Sequence, residues 1–180
     1  PFDIKKAREL LTKAGWKDED RNGILEKEIN GQKKEFRFNL LNSNADREKV
    51  FTMYKETLKQ AGIEMNITNL DWNAFSRKLD DRSFDALVMA WSGQINADPK
   101  QVWHSVSAKE GGSNFTGYSN PKVDELIDKA RLELDDQKRY KLLRQVYNLI
   151  ADDAPYVFLF NSKANFYGYS SRVEMEKPTR

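Results

Sequence analysis

Trp91 is followed at once by Ser92, Gly93, Gln94 and Asn96, and "GGSNFTGYSN" further along adds Asn114, Phe115 and Tyr118. A flat indole face, short amides and a glycine that lets the backbone approach are means of holding a neutral polar molecule. These residues point to capture: a ligand-binding set with no catalytic residue, no metal ligand and no cofactor. The competing reading puts Trp91 in the core and leaves the loop as plain surface. Residue types and spacing leave both open.

Other chemistry finds little support. His104 is the single histidine and there is no cysteine, so a zinc site would have to rely almost wholly on carboxylates. A hydrolase built on Asp98 and His104 is the enzyme alternative, but no partnered nucleophile is identifiable. The pairs Asp80-Asp81, Asp135-Asp136 and Asp152-Asp153 fall at expected helix ends, where capping and solvation explain the first two and a turn into Pro155 explains the third. Gly111-Gly112 matches no phosphate-loop pattern. In "WKDEDRNGILEKEINGQ", Asp18, Asp20, Asn22 and Gly23 fall on the first, third, fifth and sixth positions of a calcium loop. The twelfth, which should be glutamate, is Ile29, and a hairpin rather than a second helix follows. The stretch therefore reads as a turn.

Composition narrows the classes further. The 180 residues suit one domain or one lobe of something larger. Thirty Lys and Arg against 28 Asp and Glu give a net charge of +2 with the signs interleaved, which supplies no concentrated basic patch for nucleic acid. The lack of cysteine suits an oxidising compartment. No run approaches the roughly 20 apolar residues that span a bilayer. The start at Pro1-Phe2-Asp3, without an initiator methionine, reads as an excised piece with any export signal upstream.

The elements that must position the Trp91 region follow from periodicity. Asp3 caps a helix with Ile4, Ala7, Leu10, Leu11 and Ala14 on one face, and Gly15 ends it. Ile24 to Ile29 begins a strand and Asn30-Gly31 turns it. Phe36, Phe38 and Leu40 alternate as a half-buried strand. Asp46 caps a helix with Val50, Met53, Tyr54, Thr57, Leu58 and Ala61 inward. Ile63, Met65 and Ile67 alternate again, and a short helix covers Trp72 to Leu79. "FDALVMAW", Phe84 to Trp91, is nearly all apolar and reads as a central strand covered on both faces. The order β-α-β-α-β implies right-handed crossovers onto a parallel sheet. Trp91 then lies at the sheet's carboxyl edge, where open parallel sheets place ligands. Only a short element near Gln101 to Ser105 is expected in the long connection that follows. Asn120 and Pro121 start a helix with Val123, Leu126, Ile127, Ala130 and Leu134 inward. A last helix buries Tyr140, Leu143, Val146, Tyr147 and Ile150 and stops at Pro155. Tyr156 to Phe160 and Asn165 to Tyr169 read as two late strands, and 170–180 as a frayed tail.

Three fragments carry a resemblance. They are "AGWKDEDRNGILE" after the first helix, "FDALVMAW" with Asp98-Pro99 and "NFTGYSNPKVDELIDKAR", and "DDQKRYKLLRQVYNLIADDAPYVFLF". In order and spacing the chain resembles the extracytoplasmic solute-binding proteins of the oligopeptide, dipeptide and nickel ABC transporters. The resemblance implies an α/β lobe of the periplasmic-binding-protein type II kind. Its βαβαβ core lies on a mostly parallel sheet, with helices on both faces and two C-terminal strands. It implies a second lobe whose first lobe is missing. It also implies capture of a peptide or similar solute outside the cytoplasmic membrane, or anchored to its surface, for delivery to a membrane permease. Trp91 and the residues after it would face the cleft between lobes, and the acidic turn would join a helix to a hairpin. Peptide-binding relatives commonly hold an aspartate three residues after this tryptophan, for the peptide's amino terminus. Here that residue is Gln94, which supplies no countercharge and opens the alternatives of a sugar, a blocked peptide or a metal chelate. The isolated chain is expected to be monomeric. A stand-alone interaction domain using the late strands remains the third reading.

Overall fold

The computed structural model describes residues 2–91, 98–109 and 111–160, together with 168, 170, 172 and 173. Helix α1 (Ile4–Lys13) starts where Asp3 accepts the Lys6 N–H at 2.8 Å. Strands β1 (Glu26–Ile29) and β2 (Gln32–Glu35) form an antiparallel hairpin. Asn30 and Gly31 close it with φ of 52° and 75°, the left-handed pair a two-residue hairpin requires.

The core sheet has three parallel strands in the order β4-β3-β5, with β3 (Arg37–Asn42) central between β4 (Glu64–Asn69) and β5 (Ala86–Leu87). Helix α2 (Glu48–Gln60) links β3 to β4, and α3 (Trp72–Asp80) links β4 to β5. Adjacent residues of β3 serve opposite faces, as the pleat demands. Leu40 packs with Phe51 of α2 and Met65 of β4, while Leu41 packs with Phe75 and Leu79 of α3. Burying a side chain such as Met65 or Phe75 stabilises by about 1.5–3 kcal/mol.

The run after Phe84 follows the same alternation: Ala86 and Val88 join the α2 side, Leu87 and Met89 the α3 side. It is covered on both faces, as its composition predicts, but among the described residues it is not central. Only Ala86 and Leu87 pair, and only with β3, so β5 is an edge strand among the described residues. A run apolar on both faces reports two covering layers and says nothing of how many neighbours lie in the sheet.

Beyond α4 (Lys100–Trp103), helices α5 (Pro121–Leu132) and α6 (Asp136–Asp153) pack as a pair. Their core joins Val123, Leu126, Ile127, Val146 and Ile150 to Trp103. Asn120 caps α5 with Pro121 at its first position.

Several expected faces shift. In α2 the buried residue is Phe51, with Tyr54 and Leu58 beside it, while Val50 and Met53 are exposed. The cap there is Asn44 rather than Asp46: Asn44 Oδ1 accepts the Asp46 N–H, and a 3-10 turn (Ala45–Arg47) precedes the helix. Leu134 lies past the end of α5 and is exposed, and α6 turns Leu142, Val146, Leu149 and Ile150 inward, with Tyr140 and Tyr147 exposed. Tyr156 to Phe160 forms no strand. Of the second expected late strand and the tail, only 168, 170, 172 and 173 are described.

Candidate functional site

The sheet order places a switch point between β3 and β5, because α2 carries the chain from β3 to one side and α3, on the opposite face, carries it back past β3 to the other. A cleft of about 220 Å³ opens there, lined by Asn42 at the end of β3, Ser43 and Arg47 beyond it, Trp72 at the start of α3, and Met89 and Ala90 beyond β5. Asn42 is buried and fixes the rim. Its Nδ2 donates to Asn69 Oδ1 at 2.8 Å and to the Asn44 carbonyl at 2.9 Å, and its Oδ1 accepts the Asn44 N–H.

Trp91 follows Ala90 directly. Its indole is 45% exposed and stacks on Phe115, centroids 6.1 Å apart and planes within 13°. Trp72, 63% exposed, stacks on Phe75 in the same manner. Phe75 and Phe115 belong to one apolar cluster, so two open indoles rest on a common floor. The reading of Trp91 as sealed core is thereby excluded.

Arg82 holds the loop that delivers Phe115. Its guanidinium donates to the carbonyls of Asn114 (3.0 Å), Lys109 (2.9 Å) and Gly112 (3.3 Å), and lies 5.7 Å from the Phe115 centroid. Gly112 is required at its position because a Cβ there would sit 2.1 Å from the Ser107 carbonyl oxygen.

The residues expected to bind ligand therefore separate. Trp91 and Phe115 come together at the carboxyl edge. Asn114 does not face the opening. It is fully buried, its Nδ2 donates to the Tyr118 and His104 carbonyls at 2.8 and 3.2 Å, and its Oδ1 accepts the Tyr118 N–H at 3.0 Å. An amide flanked by glycines and aromatics looks the same in sequence whether it meets a ligand or its own loop. Tyr118 lies edge-on to Trp103, and its hydroxyl donates to Asp153 at 2.6 Å. Ser92, Gly93, Gln94 and Asn96 lie outside the described residues. Trp72, Arg47 and Met89 were missed. Applying the carboxyl-edge rule to β3 as well as β5 would have pointed to "NSNADR" after Leu41.

The acid–base pair imagined for an enzyme does not form. Asp98 accepts the Lys100 N–H and pairs with Arg131 at 3.0 Å. His104 Nδ1 accepts the Val106 N–H, and its Nε2 lies 3.4 Å from Asp128.

Burial, reinforced by Asp153, pushes the Tyr118 hydroxyl up to about 12, and the Tyr118 and Asn120 hydrogen bonds hold the Asp153 carboxyl low. A raised folded value means stability fully present below the unfolded tyrosine value of about 10 and lost as pH rises toward 12. The stability gap between the parent and Tyr118→Phe should therefore narrow between pH 9 and 12. Urea midpoints across that range measure it, and a constant gap would refute the assignment. Asp153 acts oppositely: its contribution is present above about pH 3.9 and is lost as acid passes its depressed value.

Solved structures share this architecture. The oligopeptide-binding protein AppA of Bacillus subtilis, in complex with a nonapeptide, superposes with TM-score 0.78 at 34% identity, over 86% of this chain and 31% of that one. The oligopeptide-binding protein of Thermus thermophilus, complexed with a pentapeptide, gives 0.75 at 25% identity, over 86% and 29%. The fold is thus that of periplasmic binding proteins, a mixed α/β architecture on a parallel sheet. The profile of the bacterial extracellular solute-binding proteins, family 5 Middle, matches residues 1–114, and the chain belongs to that family. In sequence it is 36% identical to AppA over 162 residues, 88% of this chain and 29% of that protein. With oligopeptide-binding protein OppA of B. subtilis it shares 30% over 154 residues, 85% of this chain and 27% of that protein. The chain spans less than a third of the length of these relatives. Among the described residues, no helix is long and apolar enough to cross a membrane.

Proposed function

We propose that this chain is one lobe of a two-lobed receptor that captures peptides outside the cytoplasmic membrane and presents them to an ABC-transporter permease, without catalysis. The observation that carries this reading is the half-exposed Trp91 indole, stacked on Phe115 beside the cleft at the switch point. The relatives' bound nonapeptide and pentapeptide support the ligand class. A first lobe would close over this edge and cover Val157, Phe158, Leu159 and Phe160, which are 52–72% exposed. Ligand touching both lobes would favour the closed state.

Calorimetry on the two-lobed protein with peptides of about five to nine residues tests the reading. Saturable binding is expected, and none by any peptide would defeat it. Trp91→Ala should weaken binding by about 10–100-fold, the worth of one aromatic face covered by ligand. Its thermal midpoint should move little, since the indole is already half in water. An equal loss of fold stability would return Trp91 to a packing role.

Gln94 favours a second reading. With a neutral amide at the position that meets a peptide's amino terminus in relatives, a blocked peptide, a sugar or a metal chelate becomes a fitting ligand. Amino-acetylated and free forms of one peptide discriminate. Similar affinities support a neutral site, and a large preference for the free amine requires a carboxylate elsewhere.

A further inference from the structure

The turn between α1 and β1 contains a buried charge that its own neighbours only half satisfy. Glu26 is 3% exposed. Its Oε1 accepts the Glu19 N–H (3.2 Å) and the Asp20 N–H (3.3 Å) and pairs with Lys33 Nζ at 2.5 Å. Among the described residues, its Oε2 has no hydrogen-bond partner. A buried carboxylate oxygen without a donor or cation is costly, and such atoms are rare in folded proteins. Carboxylate oxygens of Asp18, Asp20 and Glu26 all lie within 4.8 Å of one another.

Three oxygens within 4.8 Å of one another share a centre no more than about 2.8 Å from each, and small side-chain shifts bring that into the Ca–O range of about 2.3–2.6 Å, so one calcium ion can bridge all three. Magnesium, at about 2.1 Å and reluctant to shed water, needs a tighter set. Glu26 is the ninth position of the loop that begins at Asp18. It brings in the carboxylate that Ile29 lacks at the twelfth, and it comes from the first residue of β1 rather than from a second helix. Lys33, half exposed on a flexible stem, supplies the positive charge meanwhile.

We propose that Asp18, Asp20 and Glu26 form a site for a hard divalent cation, calcium in preference to magnesium, which displaces Lys33 from Glu26 and ties the α1–β1 turn to the hairpin. Three carboxylates competing with one lysine place the dissociation constant at about 10⁻⁴–10⁻³ M, the range of extracellular calcium modules. The site is independent of the cleft and of its ligand.

Terbium, a luminescent calcium substitute, titrated into the 180-residue chain provides the test, with Trp16 two residues from Asp18 as the sensitiser. Saturable emission displaced by calcium near millimolar concentration is expected, with magnesium at least about 10-fold weaker. The exposed-residue variant Asp20→Asn should weaken binding at least about 10-fold while leaving the circular dichroism intact. Lys33→Gln, which removes the competing charge, should tighten it. The thermal midpoint should rise with calcium by mass action in the parent and less in Asp20→Asn. No emission and no midpoint shift at 10 mM calcium would overturn the proposal. Emission unchanged in both Asp20→Asn and Glu26→Gln would overturn it too, by placing the ion elsewhere.

Discussion

Isolated, the 180-residue chain should bind peptide at least about 100-fold more weakly than the two-lobed protein, a deficit of about 2.7 kcal/mol or more. Two terms combine. The cleft at the carboxyl edge is an open surface, with Trp91 at 45% and Trp72 at 63% exposure. A peptide lying there buries one side only. Closure contributes the second term, since a ligand shifts an open–closed equilibrium only by its differential affinity, and a single lobe has no closed state to favour. The chain's span of 29% of AppA's length makes the comparison feasible with two proteins. Calorimetry on both with one peptide reads it out. Equal affinities would mean that this lobe carries the whole site and would remove the two-lobe mechanism.

Sequence showed well whatever depends on local chemistry. Asn30-Gly31 specified its hairpin because only certain residues adopt positive φ cheaply, and Asn120-Pro121 specified the start of α5 for the equivalent reason at a helix end. It showed less where the answer depends on what lies opposite. In α2, Val50 and Met53 fit an apolar stripe as well as Phe51 does, and only the placement of Leu40 and Met65 turns Phe51 inward. At the candidate site, the position of Trp91 was legible because it ends an apolar run at the sheet's carboxyl edge. Trp72 was not, since an aromatic opening an amphipathic helix is the ordinary appearance of core. Nor could spacing show that Asn114 faces its own loop, which depends on the returning carbonyls of His104 and Tyr118.

Asn114→Ala should cost about 3 kcal/mol of folding stability and should weaken ligand binding through Phe115. The amide satisfies three backbone groups: the Tyr118 N–H and the carbonyls of Tyr118 and His104. Alanine leaves them without their partner in a site where the side chain is fully buried, and each such loss costs about 1–3 kcal/mol. Some relaxation and water entry keep the total near the lower end of the sum. The same loop presents its Asn114 carbonyl to Arg82 and carries Phe115 under Trp91. Loosening it therefore also tilts the floor on which the exposed indole rests. Asn114→Asp separates charge from geometry. It keeps the acceptor for the Tyr118 N–H but turns a carboxylate oxygen toward two carbonyls, and burial with that repulsion raises its folded pKa. Its stability is then greatest below about pH 3.9, the unfolded aspartate value, and is lost as pH rises through the folded one, opposite in sign to Asp153. Urea midpoints of the parent and both variants at pH 4 and pH 8 measure this. A midpoint for Asn114→Ala matching the parent, or for Asn114→Asp that rises with pH, would show that the amide is not the fastening of this loop.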